Sequence, residues 1–164
     1  MTPTRTVVLG LHPSSRGFGW VVFEEALSLL DWGTVDIRRD KNAIALGRIQ
    51  SLLEKHQPGV LAMERHEAAG ARRSERIGRL YLAIVQCAET RDVRVQRYSR
   101  AQISSSRYLK GARTREEVAV AVVDCLNVLR PRLPKPRQIW VGERSGMSLF
   151  CAAACALTYF GAEP

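Results

Sequence analysis

The sequence has no apolar run of the roughly eighteen residues that a membrane-spanning helix needs. Its first residues hold one arginine before a short apolar stretch and no cleavage-site pattern, so we expect no secretion signal. None of the four cysteines falls in a Cys-x-x-Cys pair, and all lie in apolar, helix-like stretches. We therefore expect buried, reduced thiols in a cytoplasmic protein with no membrane partner.

Two common catalytic patterns are also missing. His12, Ser14 and Ser15 are neighbours, but no glycine-flanked nucleophile elbow surrounds them. The stretch HPSSRGFG lacks the lysine and the glycine spacing of a phosphate-binding P-loop. The sequence therefore argues against a serine hydrolase of that type and against a P-loop protein.

Acidic residues are few compared with basic ones. The chain has 16 aspartates and glutamates against 25 lysines and arginines, a formal net charge of +9. Such an excess favours a polyanionic partner, most often a nucleic acid. With 46% hydrophobic residues in 164, we expect a globular chain folded as a single domain over residues 1–164.

The apolar patterns predict an α/β protein with a mixed sheet and helices on both faces. Strands are predicted over 5–11, 17–24, 27–37, 59–64 and 93–98, and helices over 40–56, 73–90, 99–109, from 114 onward, and over 147–160. Gly161 is expected to end the last helix, and RPRLPKPRQ is expected to be an irregular loop.

Five stretches in this order resemble the RuvC-type Holliday junction resolvases of the RNase H-like superfamily. They are VVLGLHPSSRGFGWVVFE, PGVLAME, RYSRAQ, KGARTREEV and SLFCAAACALTYF, and they span nearly the whole chain in the spacing of that family. The resemblance implies an RNase H-like fold with a mixed five-stranded sheet. It also implies a homodimer that binds four-way DNA junctions in DNA recombination and repair.

The resemblance also identifies candidate catalytic residues, and here the chain departs from the family. The family has acidic residues after strand one, at the end of strand four and near the start of the last helix, since paired divalent ions need carboxylate oxygens. Glu64 matches, but His12 and Cys151 stand where aspartates are expected. Ser148 lies one turn before Cys151, and Glu143 is a candidate substitute just upstream.

These substitutions leave three functions open. The first is a RuvC-like protein that binds branched DNA with an impaired or remodelled endonuclease site. The second is an active, divergent crossover junction endodeoxyribonuclease, and the third is an RNase H-fold protein acting on structured RNA. The resemblance implies Mg²⁺ or Mn²⁺, whereas His12, Glu64 and Cys151 as metal ligands would suit Zn²⁺ better; an inactive site would need no metal.

Two groups of basic residues are predicted to bind DNA. Arg72, Arg73, Arg76 and Arg79 open the helix that follows Glu64, which the resemblance places beside the cleft and at the dimer contact. Lys110, Arg113 and Arg115 lie where the family has phosphate-binding lysines, and Arg115 replaces one of them in TREEV. The alternative for both groups is a solvated basic face.

Overall fold

The structure, a computed structural model, describes residues 6–66, 75–133 and 146–162. Its strands are β1 (Val8–Ser14), β2 (Gly17–Glu25), β3 (Ser28–Asp36), β4 (Val60–Glu64) and β5 (Arg94–Tyr98). Its helices are α1 (Lys41–His56), α2 (Glu75–Glu89), α3 (Arg100–Ser105), α4 (Arg115–Cys125) and α5 (Met147–Ala162), with a 3₁₀ helix at Asn127–Arg132.

The strands form one mixed sheet in the order β3-β2-β1-β4-β5. The first three strands are antiparallel neighbours joined by short turns, whereas β4 and β5 run parallel to β1. The predicted mixed five-stranded sheet is confirmed. Because β1, β4 and β5 run parallel and lie next to one another, their carboxyl ends meet at one edge of the sheet.

Each face of the sheet has its own hydrophobic core. Side chains alternate between the faces along a strand. Val60 and Ala62 of β4 pack against α3, α4 and α5, while Leu61 and Met63 pack against α1 and α2. The helices therefore cover both faces, as the sequence predicts.

Helix α5 lies in direct contact with the backbone of the sheet. A Cβ atom at Gly10 of β1 would overlap the carbonyl oxygen of Ala152, and one at Gly19 of β2 would overlap the backbone of Ser148. The helix itself is buried nearly all round, and its alanines permit the close approach. The absence of side chains at both glycines thus fixes where α5 crosses β1 and β2.

Strand β1 is longer than the sequence predicts. It continues through His12 and Pro13 to Ser14 and stays paired with β2 down to the Ser14–Gly17 pair. The polar stretch reads as a turn, but hydrogen bonding to β2 keeps it extended. The consequence is that His12 is a strand residue, buried at 5% exposure.

Three other boundaries also differ from the prediction. α5 continues through Gly161, which is therefore a helix residue packed against the Ser106 hydroxyl. α3 ends at Ser105 rather than at Leu109 because the chain turns back there, with the Gly111 amide bonded to the Ser104 carbonyl. The start of RPRLPKPRQ belongs to the 3₁₀ helix, and residues 134–138 lie outside the described residues.

No helix in the described parts of the chain combines the length and the apolarity needed to cross a bilayer.

Candidate functional site

His12 and Glu64 lie side by side at the ends of two neighbouring strands. β1 and β4 pair in parallel with Gly10 opposite Ala62, so two residues further each strand places a side chain on the α5 face. The Nδ1 atom of His12 is 4.0 Å from Oε2 of Glu64. The structure therefore brings together two of the predicted site residues.

The second oxygen of Glu64 contacts an arginine that the sequence analysis does not identify as a site residue. Nε of Arg100 donates to Oε1 of Glu64 over 3.1 Å. The Glu64 side chain is 19% exposed and that of Arg100 is 64% exposed. Both oxygens of the carboxylate therefore face a nitrogen, each from a different element.

The position of Arg100 follows from the cap of α3. Glu64 is paired with Tyr98 across β4 and β5, and α3 begins two residues after Tyr98. The Ser99 hydroxyl accepts from the Gln102 amide, and the Gln102 side chain accepts from the Ser99 amide. The sequence SRAQ is typical of such a capping box. Only the pairing of β4 with β5 shows that the helix it begins places Arg100 beside Glu64.

Glu64 and Arg100 border a cavity of about 580 Å³ between α3, α4 and α5. Its described lining also includes Arg113, Arg115 and Cys151. Three arginines and one glutamate are the charged residues described in that lining, so positive charge predominates. Two predicted DNA-binding residues and two predicted catalytic residues thus meet in one place.

The loop before α4 positions the two predicted arginines. The Thr114 hydroxyl caps α4 by accepting from the Glu117 amide over 3.1 Å. The Glu117 carboxylate turns back to accept from the Arg113 amide. Lys110 is exposed, with a positive φ of 51°, and is not among the described lining residues of the cavity.

A second cysteine lies beneath the site. Cys155 is buried one helical turn after Cys151, and it contacts the backbone of Glu64. Burial, reinforced by the charge of Glu64 and by Cys151, raises the pKa of the Cys155 thiol well above its ordinary value. Cys155 is therefore a neutral thiol at physiological pH and adds no negative charge beside Glu64.

Ser148, one turn before Cys151 on α5, lies over Gly19. It is buried at 3% exposure, and its hydroxyl has no hydrogen-bond partner among the described residues. A hydroxyl in this place can contribute no negative charge to the site.

The described side chains do not fit a pair of Mg²⁺ ions. Such ions take several carboxylate oxygens, and Glu64 is the single carboxylate described in the cavity lining, with one oxygen bonded to Arg100. Across residues 6–66, 75–133 and 146–162, no three His, Cys, Asp or Glu side chains gather as a metal site. Glu143 lies outside this range, and the ligand set His12, Glu64 and Cys151 stays a prediction.

The other predicted DNA-binding residues lie away from the cavity or outside the described residues. Nη1 of Arg76 donates to Oδ1 of Asn42 on α1, and Arg79 pairs with Glu75 at 3.8 Å. Both arginines belong to α2, which packs on the sheet face opposite α5, and neither is in the described lining. Arg72 and Arg73 lie among the residues that are not described.

Comparison with known proteins finds sequence similarity to a junction endonuclease. The chain is 28% identical over 136 residues to the crossover junction endodeoxyribonuclease RuvC of Oleidesulfovibrio alaskensis, covering 78% of this chain and 82% of that protein. No protein-family model matches the chain.

Solved structures of similar shape agree with this sequence match. Thermus thermophilus RuvC in complex with a Holliday junction substrate matches with a TM-score of 0.70 and 21% identity, over 95% of this chain and 93% of that one. The yeast mitochondrial Holliday junction resolvase Ydc2 matches with a TM-score of 0.63 and 16% identity, over 98% of this chain and 80% of that one. The expected RNase H-like fold is confirmed.

Proposed function

We propose that this chain, RuvC-like in sequence and in fold, binds four-way DNA junctions with an impaired or remodelled nuclease site. The observation that carries the proposal is the cavity in which Arg100, Arg113 and Arg115 surround Glu64. The similarity to junction-resolving proteins supports branched DNA as the ligand class.

The described cations of the cavity suit DNA phosphate. Guanidinium groups bind phosphate oxygens in pairs, and the amides at the start of α4 add donors beside Arg115. Such contacts release counterions, so the affinity falls as salt rises, with a log–log slope of about −0.9 per phosphate contact on duplex DNA. Arg113→Gln and Arg115→Gln are each expected to weaken binding and to reduce that slope by about one contact.

The described side chains around Glu64 support weak or absent cleavage. An ordinary resolvase site would need several carboxylates to hold its ions. Here a histidine stands beside Glu64, an arginine is bonded to it, and the neutral thiol of Cys155 lies behind it on α5.

The retained contact between His12 and Glu64 favours the second candidate function. The imidazole Nδ1 of His12 is 4.0 Å from Oε2 of Glu64, so two candidate ligand atoms lie together where the resemblance implies acids. An active but divergent endonuclease would use Glu64 and its neighbours, with Glu143 as a further predicted ligand.

The test measures binding and strand cleavage of a labelled four-way junction with Mg²⁺ or Mn²⁺. Duplex DNA and a structured RNA serve as comparison ligands, and the proteins are the natural chain, Glu64→Gln and His12→Asp/Cys151→Asp. We expect the natural protein to prefer the junction without cutting it, and the double variant to cut.

Three other results would change the assignment. Cleavage by the natural protein that is lost in Glu64→Gln would establish the divergent endonuclease. Tighter binding to the RNA would favour the structured-RNA function. Binding to none of the three nucleic acids would contradict the proposed function.

A further inference from the structure

We infer that Arg100 is a built-in counter-cation for Glu64, which lets a DNA phosphate enter the cavity without a divalent ion. The inference rests on the proposed function and deepens it. It assigns to this chain's own arginine the charge balance that a metal ion provides in a metal-dependent nuclease.

The negative charge of Glu64 opposes the binding of DNA phosphate in this cavity. A carboxylate at the bottom of a DNA-binding cavity repels phosphate, and partial burial strengthens the repulsion because solvent screens it less. The Glu64 side chain is only 19% exposed. A cation next to this carboxylate is therefore needed before a phosphate can approach it closely.

Arg100 is placed to meet that need. Its Nε atom is 3.1 Å from Oε1 of Glu64, and both residues line the same cavity as Arg113 and Arg115. The capping box at Ser99 holds the start of α3, so the arginine reaches Glu64 from a fixed backbone. The remaining guanidinium nitrogens can donate to a phosphate, because a guanidinium has five N–H donors.

Among the described residues that line the cavity, Glu64 is the single carboxylate. Ser148, buried on α5, is a hydroxyl and carries no charge. The exposed fraction of Arg100 is 64%, so its side chain can shift between the carboxylate and an arriving phosphate at little cost. Arg100 is thus a positioning residue for Glu64 as well as a phosphate donor.

A double-mutant cycle on Arg100 and Glu64 separates two possible roles of Arg100. If Arg100 acts through Glu64, then Arg100→Gln matters only while the carboxylate is present. If Arg100 is only another phosphate contact, then Arg100→Gln weakens binding equally in the Glu64→Gln background.

The experiment measures the Kd of a four-way junction in EDTA and in Mg²⁺ at constant ionic strength. The proteins are the natural chain, Arg100→Gln, Arg100→Lys, Glu64→Gln and Arg100→Gln/Glu64→Gln. Arg48→Gln is the charge-matched control, since Arg48 is exposed on α1, on the other face of the sheet. Circular dichroism melts check that each variant is folded.

We expect the natural chain to bind equally well in EDTA and in Mg²⁺. Arg100→Gln should bind about tenfold more weakly in EDTA, as expected for losing one charge-assisted contact beside a carboxylate. Most of that loss should be recovered by Mg²⁺, by the Glu64→Gln change, or by lysine at position 100. Arg48→Gln should lose affinity only through net charge, and equally in both buffers.

Two results would overturn the inference while leaving the proposed function standing. One is junction binding by the natural chain that requires Mg²⁺. The other is an equal loss from Arg100→Gln with and without Glu64. Absence of junction binding in every buffer would instead overturn the proposed function and the inference together.

Discussion

Cys155 shows how one buried side chain sets the charge at the site. Its thiol lies against the backbone of Glu64, and burial raises its pKa well above the ordinary value of 9.0. A thiolate there would be a buried charge next to a carboxylate. Deprotonation of Cys155 therefore destabilises the folded state.

This dependence predicts how stability changes with pH. Because the pKa of Cys155 is raised on folding, the stability due to its protonated form is complete below pH 9.0 and is lost as the pH rises above it. Denaturant unfolding between pH 7 and pH 10.5 should show a steeper fall for the natural chain than for Cys155→Ala. The variant should also lose about 1 kcal/mol at pH 7 through the small cavity it leaves.

Cys87→Ala is the comparison variant, because Cys87 is buried on the other face of the sheet, away from Glu64. The same alkaline slope for the natural chain and Cys155→Ala would contradict this account of Cys155.

The contact between α5 and the sheet is sensitive to mutation because it leaves no room for a side chain at Gly19. A methyl group at Gly19 would overlap the Ser148 backbone, and both belong to regular elements that cannot move independently. Gly19→Ala should therefore lower the free energy of unfolding by about 1–3 kcal/mol, the range for overpacked cores. Urea denaturation followed by circular dichroism measures this loss.

Gly47→Ala provides the matched control for that substitution. Gly47 lies inside α1 and a Cβ atom there meets nothing within 4 Å. Alanine is the better helix former by about 1 kcal/mol, so this variant should be more stable than the natural chain. A neutral effect of Gly19→Ala would mean that α5 can move away from the sheet.

Helices with a regular apolar spacing could be predicted from the sequence. Strand ends that depend on pairing with another strand could not. α2 reads as an amphipathic helix, and its buried residues Ile77, Leu80 and Ile84 follow the expected spacing. The end of β1 was missed because His12-Pro13-Ser14 has turn composition, while its extended form comes from bonding to β2. A partner strand distant in sequence leaves no local signal.

The same limit applies to the candidate site: residues with a local sequence pattern could be predicted, and residues defined by a contact with another element could not. Glu64 could be identified because it closes an apolar strand, and Arg115 because it follows a helix cap. Arg100 and Cys155 could not, since each acts by its position against a residue on another element. Catalytic and DNA-binding roles for all these residues stay predictions.

The homodimer is the prediction that concerns the assembled protein. Leu82 is 64% exposed on α2, the helix to which the resemblance assigns the dimer contact, and its neighbours Ile77 and Leu80 are buried. Leu82 is therefore the position on this helix at which a substitution tests the predicted interface. Leu82→Arg should shift the protein from dimer to monomer in sedimentation velocity, without changing its circular dichroism.

Val128→Arg is the control, because Val128 is exposed to a similar degree, 55%, on the 3₁₀ helix of the other face. A natural chain that is monomeric at micromolar concentration would contradict the predicted dimer, and a dimer unaffected by Leu82→Arg would place the interface elsewhere.

The packing of α5 on β1 also has a consequence for synthesis on the ribosome. The helix that covers Gly10 begins at Met147, so well over a hundred residues are made before the α5 face of the first strands can be closed. Until then Val8, Val21 and Phe23 stay uncovered on an otherwise paired hairpin. We therefore expect the nascent chain to expose an apolar sheet face for most of its translation, and a chain that stops before α5 to be readily degraded.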